Sequence, residues 1–308
     1  MVIKNNELEV LRECKYFETD MGLVSDNAYL SIVATNNCNK SCIYCINSNT
    51  DRAIDLDVEK ALKNIKKLVS LYKVKESVIL GGEPTLHPKL FTLIDGLKNT
   101  GLRRFGITTN GLVLYDKPDY CKKLAKSGVS WINISSDTIK DAPKLYCICQ
   151  TIKGANPDCK VRINTNVYRG HSDTLEKLNE TILFFSKCCD EMRVSNLIYK
   201  DDFSVNAENN PEMKNIVLND DEYIELFEKY IEQESKKYTV IENPAALGFV
   251  RYCLIPSPTP VILNWNIGSK VSDQVCENEI GKRKINTFKC LVTGDISLSW
   301  NTNNIIEL

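Results

Sequence analysis

Three cysteines, Cys38, Cys42 and Cys45, stand in the run Thr35-Asn-Asn-Cys38-Asn-Lys-Ser-Cys42-Ile-Tyr-Cys45, spaced C-x3-C-x2-C. Thiolates this close on one loop can converge on a metal centre, and thiolate ligands select zinc, copper(I) or iron–sulfur. A structural zinc site needs four protein ligands, usually from two paired knuckles. No second such pair follows, and the chain's two histidines, His87 and His171, lie far along the sequence. Three ligands leave one corner open, as a catalytic centre requires. A zinc knuckle closed by a distant fourth ligand is the alternative reading.

The elements around the triplet must hold it in place. Ala28–Ala34 is apolar and β-rich, so the triplet follows a strand. Val58, Ala61, Leu62, Ile65, Leu68, Val69 and Tyr72 then mark one face of a helix, with Asp57 as its N-cap. Ser77–Leu80 is a short buried strand ending in Gly81-Gly82-Glu83-Pro84. In a βαβ unit both loops fall at the carboxyl ends of neighbouring parallel strands, the edge where α/β folds keep their ligands. The alternation continues with strands at Arg104–Gly111, Val129–Asp137, Val161–Val167 and Glu191–Ile198, and helices at Cys121–Ser127 and Leu175–Cys188. Six such units predict a partial or complete α/β barrel.

The chain has 308 residues, enough for one large α/β domain with an appendage. Thirty-nine basic residues against forty acidic ones give a net charge of −1, which argues against a strongly basic nucleic-acid surface. No apolar run reaches membrane-spanning length. The opening MVIKNNELEV lacks a signal-peptide layout, so the expected location is cytoplasmic. Thirteen cysteines in such a chain point to metal or redox chemistry.

The motifs in this order resemble the radical S-adenosylmethionine (SAM) superfamily: Cys38-x3-Cys42-x-Tyr44-Cys45, Gly81–Pro84, Thr108-Thr-Asn-Gly111 and Ile134-Ser-Ser-Asp137, each after successive strands. Their wording is similar to the branch holding the molybdenum-cofactor cyclase and peptide-modifying enzymes with SPASM or twitch extensions. The resemblance covers roughly residues 28 to 200 and implies an α/β fold: a partial (β/α)6 TIM barrel with a small C-terminal α+β extension. It implies that Cys38, Cys42 and Cys45 hold a [4Fe–4S] cluster whose fourth iron takes SAM. Tyr44 would sit by the adenine. Gly81, Gly82 and Glu83 would meet the methionine amino group. Thr108 and Ser135 match ribose and carboxylate contacts, with Asn164 a weaker candidate. It also implies reductive cleavage of SAM and hydrogen-atom abstraction, fed by a low-potential flavodoxin- or ferredoxin-type donor. No residue is singled out as a catalytic acid or base.

The expected division is a core at 1–215 and a cap at 216–308. In the cap, Asn219 with Glu222 resembles a capping box for a helix to Ser235, while Tyr238–Ile241 and Pro260–Trp265 read as extended. Phe288–Val292 and Ile296–Trp300 flank a hairpin turn. Cys253, Cys276 and Cys290 are placed for a second, three-ligand cluster like those of this branch; a clusterless cap is the alternative, and Trp300 stands where a cysteine would be expected. The branch resemblance favours a peptide substrate, with a nucleotide, sugar or other small molecule second and a non-enzymatic iron–sulfur or zinc module third. The roughly 27 residues before the first strand are too few for a peptide-binding N-terminal domain, which weighs against a peptide.

Overall fold

The computed structural model describes residues 15–45, 51–197, 211–234, 238–241, 249–254, 262–266, 275–277, 283–300 and 304–308. An antiparallel pair opens the chain, β1 (Tyr16–Thr19) with β2 (Gly22–Val33). The first barrel strand therefore begins six residues before the apolar stretch at Ala28. Then follow α1 (Val58–Tyr72), β3 (Glu76–Leu80), α2 (Leu90–Leu97) and β4 (Arg104–Thr109). Next come α3 (Leu112–Asp116), α4 (Pro118–Lys126), β5 (Trp131–Ser135), α5 (Ala142–Ala155) and β6 (Lys160–Val167). The core closes with α6 (Leu175–Phe185) and β7 (Glu191–Asn196).

Strands β2 to β7 pair in chain order, all parallel. Each connection carries a helix that buries one face of the sheet, which makes this a partial α/β barrel. Asp57 caps α1, accepting from the Lys60 N–H at 3.1 Å, and Ala61, Ile65 and Leu68 on its inner face are fully buried. The outward-pointing Ile32, Ile79, Ile107, Ile132, Ile163 and Val194 of six successive strands are likewise fully buried against the helices.

The region after residue 210 joins this sheet among the described residues rather than building a sheet of its own. It supplies α7 (Pro211–Ile216), α8 (Asp220–Glu234), β8 (Tyr238–Ile241), β9 (Phe249–Leu254), β10 (Ile262–Asn266), β11 (Val275–Glu277), β12 (Arg283–Cys290) and β13 (Ile296–Ser297). β10 runs parallel beside β7, and β12 runs parallel beside β2 at the other edge. Two strands of the extension thus continue the barrel's direction at both edges, the remainder adding antiparallel to them. The 219–222 box forms as expected, with Glu222 N–H donating to Asn219 Oδ1 at 2.9 Å and Asn219 N–H to Glu222 Oε2 at 3.0 Å. Trp265 of β10 stacks on Tyr223 and Phe227 of α8, with ring centroids 4.3 and 3.7 Å away.

Candidate functional site

The cysteine loop leaves β2 at its carboxyl end and is pinned before it reaches Cys38. Asn36 N–H donates to Ile54 O at 3.0 Å and Thr35 Oγ1 to Asp55 Oδ1 at 2.6 Å. The loop after β3 lies directly on it: Gly82 N–H donates to Thr35 O and Glu83 N–H to Asn37 O, both at 2.7 Å. This contact explains both glycines. Gly81 has φ +148°, and a Cβ there would stand 2.3 Å from Thr35 O. A Cβ on Gly82 would stand 2.3 Å from Asn37 O and 2.6 Å from Asn36 O. The surface these glycines approach is the backbone of the cysteine loop itself.

Glu83 is 1% exposed. Its Oε1 accepts from Thr85 N–H (3.1 Å), Thr85 Oγ1 (2.5 Å) and Thr109 Oγ1 (2.7 Å), and its Oε2 accepts from Asn110 N–H (2.6 Å). Four donors nearly exhaust a carboxylate's lone pairs. Glu83 therefore ties the β3 loop to the end of β4. Asn110 then reaches the cysteine loop, donating to Asn39 Oδ1 at 2.7 Å and approaching Cys38 Sγ at 4.0 Å. Lys40 N–H points at the same sulfur from 3.4 Å. Donors aimed at a ligating sulfur tune a cluster's potential.

The three thiols are half-buried. Burial raises the pKa of Cys42, opposed by Lys40 and aided by Cys45, Asp137 and Cys38, so the triplet shares one neighbourhood. Among the described residues no three His, Cys, Asp or Glu side chains close around a point as they do around a single ion. A four-iron cluster is held one thiolate to each iron, which asks for a wider spacing than one ion does. The donor set, its half-burial and the N–H groups at Cys38 fit a cluster.

Tyr44 donates its hydroxyl proton to Asp137 Oδ2. Asp137 Oδ1 accepts from Asn166 N–H at 2.8 Å, and burial pushes the carboxyl up to about 6 against the pull of those Asn166 bonds. The Tyr44 ring stands 5.6 Å from Tyr168, which stands 4.9 Å from His171. The structure thus joins Tyr44 to the fourth-strand motif and to an aromatic shelf after β6. Tyr168 and His171 escaped the sequence reading because no period or spacing marks a shelf built by a turn. Thr108 accepts from Asn133 Nδ2 at 3.0 Å, and Ser135 and Asn164 are direct partners across β5 and β6. Among the described residues the buried Oδ1 atoms of Asn133 and Asn164 have no hydrogen-bond partner.

The C-terminal cysteines are placed differently. Cys290 is buried on the helix-facing side of β12, beside Ile32, and burial pushes its thiol up to about 12. Cys276 lies on β11 and Cys253 on β9, at opposite ends of the strand order; their side chains lie outside the described residues. Outside the barrel, between α5 and α6, an apolar groove of about 360 Å³ is lined by Ile139, Pro143, Tyr146 and Phe184, with Lys140 and Lys187 beside them. It includes none of the residues picked from the sequence.

A partial α/β barrel with an open three-thiol loop and a glycine cradle at its carboxyl edge defines a class. Residues 32–158, the stretch that holds the cysteine loop and the glycine cradle, match the family model described as the radical SAM superfamily. That class works with a [4Fe–4S] cluster and SAM. The probable GTP 3',8-cyclase of Methanocaldococcus jannaschii is 33% identical over 121 residues, which are 38% of this chain and 38% of that protein. The GTP 3',8-cyclase of Chlorobaculum tepidum is 33% identical over 155 residues, 46% of each. The matches thus span less than half of these relatives. In fold, Streptococcus suis SuiB bound to S-adenosylmethionine superposes with a TM-score of 0.58 at 16% identity, over 91% of this chain and 63% of SuiB. No described helix is long and apolar enough to cross a membrane.

Proposed function

We propose that the chain cleaves SAM reductively and abstracts a hydrogen atom from a peptide that is thereby modified. The observation that carries this is the cysteine loop, half-buried and locked by Gly82 and Glu83 against the next strand's loop. When bound, the cluster supplies one electron to the sulfonium of SAM and so the 5'-deoxyadenosyl radical. The chain's own residues hold, orient and shield. Cys38, Cys42 and Cys45 ligate the cluster. Tyr44, held by Asp137, presents its ring to the adenine. The Gly81–Gly82 backbone faces the methionine end, with Thr108, Ser135 and Asn164 as hydrogen-bonding partners along the strand ends. Glu83 acts through the loops it joins, since its oxygens already accept four bonds.

The peptide reading is supported by the fold likeness to SuiB, one of whose structures is described as bound to a precursor peptide; that likeness reaches past the core into the C-terminal strands. A nucleotide is the second reading, favoured by the sequence likeness to the GTP 3',8-cyclases. We place the enzyme in the cytoplasm, reduced by a flavodoxin or ferredoxin, with a radical core at 1–215 and a cap from 216. A second cluster at Cys253, Cys276 and Cys290 has least support at Cys290, which faces the helices.

The test is anaerobic reconstitution with iron and sulfide, dithionite reduction, addition of SAM and assay for 5'-deoxyadenosine. Product from the wild type and none from Cys42→Ala is expected. No product from either overturns the enzymatic reading, and iron per chain separates one cluster from two.

A further inference from the structure

Helices that cover a sheet normally turn polar residues to the solvent. The groove between α5 and α6 departs from this: Tyr146 is 51% exposed and Phe184 40%. Lys140 and Lys187 flank these rings, and Lys187 Nζ stands 5.2 Å from the centre of the Phe184 ring. A second, narrow cleft carries this surface from the start of α5 to the cysteine loop. Lys40, Tyr115, Asp141 and Lys144 line it, so the residue after Lys140 already shares a cleft with the lysine between Cys38 and Cys42. Lys144 Nζ stands 5.5 Å from the centre of the exposed Tyr115 ring.

Lys40, Lys140, Lys144 and Lys187 make no ion pair with any described residue. Among the described residues the only carboxylate lining groove or cleft is Asp141, which already accepts from Ser136 Oγ at 3.0 Å. A chain of net charge −1 thus gathers four unpaired lysines and three exposed rings on one face. That face is joined to the cluster loop. Ile139 lines the groove, and two residues earlier Asp137 accepts the hydroxyl proton of Tyr44, the neighbour of Cys45. The route from groove wall to cluster ligand crosses covalent bonds and a single hydrogen bond.

We propose that this face docks the electron donor, an acidic one-electron carrier of flavodoxin or ferredoxin type. This rests on the reading of the chain as a radical SAM enzyme and gives its reductant a place to bind. With SAM and substrate inside the barrel, the electron has to arrive from outside. Carboxylates of the donor meet the four lysines and steer its approach, while an apolar patch on it covers Tyr146 and Phe184. One electron leaves the donor and enters the cluster; the donor is oxidised by one electron, the cluster is reduced by one, and no bond or proton moves.

The experiment uses the reconstituted holoenzyme with two probes, an acidic flavodoxin and an acidic [2Fe–2S] ferredoxin. Calorimetric titration reads their affinity, and 5'-deoxyadenosine formation is followed with each probe and with dithionite as reductant. At least one probe should bind the wild type, and more weakly as salt is raised, because screening weakens the charge pairing. Lys140→Glu combined with Lys187→Glu should weaken that binding about tenfold or more. Tyr146→Ser should weaken it as well, which tests the apolar contact through a separate residue. Both variants should lose rate with the protein donor and keep the wild-type rate with dithionite, which is too small to need a dock. Three results overturn the dock: a wild type that makes 5'-deoxyadenosine from dithionite but binds neither probe, variants that bind like wild type, or variants slowed equally with dithionite. A wild type that sediments as a dimer while Tyr146→Ser sediments as a monomer assigns the groove to a second copy of this chain and overturns it too. A wild type that makes no 5'-deoxyadenosine from dithionite fails the functional reading instead, and the titration still judges the dock.

Discussion

At the residue scale, the site is organised by a carboxylate and two glycines more than by the cysteines themselves. Glu83 gathers four donors from the loops after β3 and β4. Glu83→Gln replaces an acceptor by an amide whose NH2 meets donors, leaving at least one buried group unsatisfied at about 1–3 kcal/mol. A fall in the thermal midpoint with reduced iron retention is expected, and an unchanged midpoint would refute the tie. Gly82→Ala must displace the carbonyls of Asn36 and Asn37, both backbone atoms. Its expected effect is iron per chain well below wild type after reconstitution, read by iron assay. That the cysteine loop and the Gly81–Glu83 loop are neighbours was legible, because they follow adjacent parallel strands of one βαβ unit. What Glu83 and the glycines touch was not legible, because contact between two loops depends on strand register and leaves no local pattern. Tyr168 and His171 were missed for the same reason.

At the element scale, the six core strands and α1 follow from periodicity, because each strand carries a fully buried isoleucine or valine facing the helices. α5 was passed over although Leu145, Ile148, Cys149 and Ile152 form its buried face, since cysteine blurs the apolar stripe. The pairing of β10 with β7 and β12 with β2 was not legible, since two short strands near the carboxyl end carry no signal of which distant edge they will join. What holds β10 is visible in the packing: Trp265 is 2% exposed and stacked on two rings of α8. Trp265→Ala should cost about 3–5 kcal/mol. If α8 and β10 dock as one unit, limited proteolysis of that variant should cut the C-terminal region first and leave the core intact. Uniform resistance like that of the wild type would show that β10 is held by its backbone pairing alone.

At the scale of the whole molecule, the barrel's interior charge costs stability. Lys289 makes that cost measurable. Burial alone pulls its ammonium down to about 7 from 10.5, while its Nζ donates to Thr287 and lies over Trp300. Below pH 7 both folded and unfolded chains carry the proton, so the folded state bears the full cost of a desolvated charge. Between about pH 7 and pH 10.5 the unfolded chain holds that proton and the folded chain does not. More protons bound in the unfolded state means that stability rises with pH across this window, by roughly 1.4 kcal/mol for each unit of pKa difference. Lys289→Met keeps the apolar stem and removes the titration. The variant should be more stable than wild type at pH 6, and its advantage should shrink steadily as the pH approaches 10. Urea unfolding of both proteins at pH 6, 7, 8 and 9 reads the difference directly, with cluster-free protein so that iron loss does not enter. Parallel stability curves would show that the folded state keeps this lysine charged throughout.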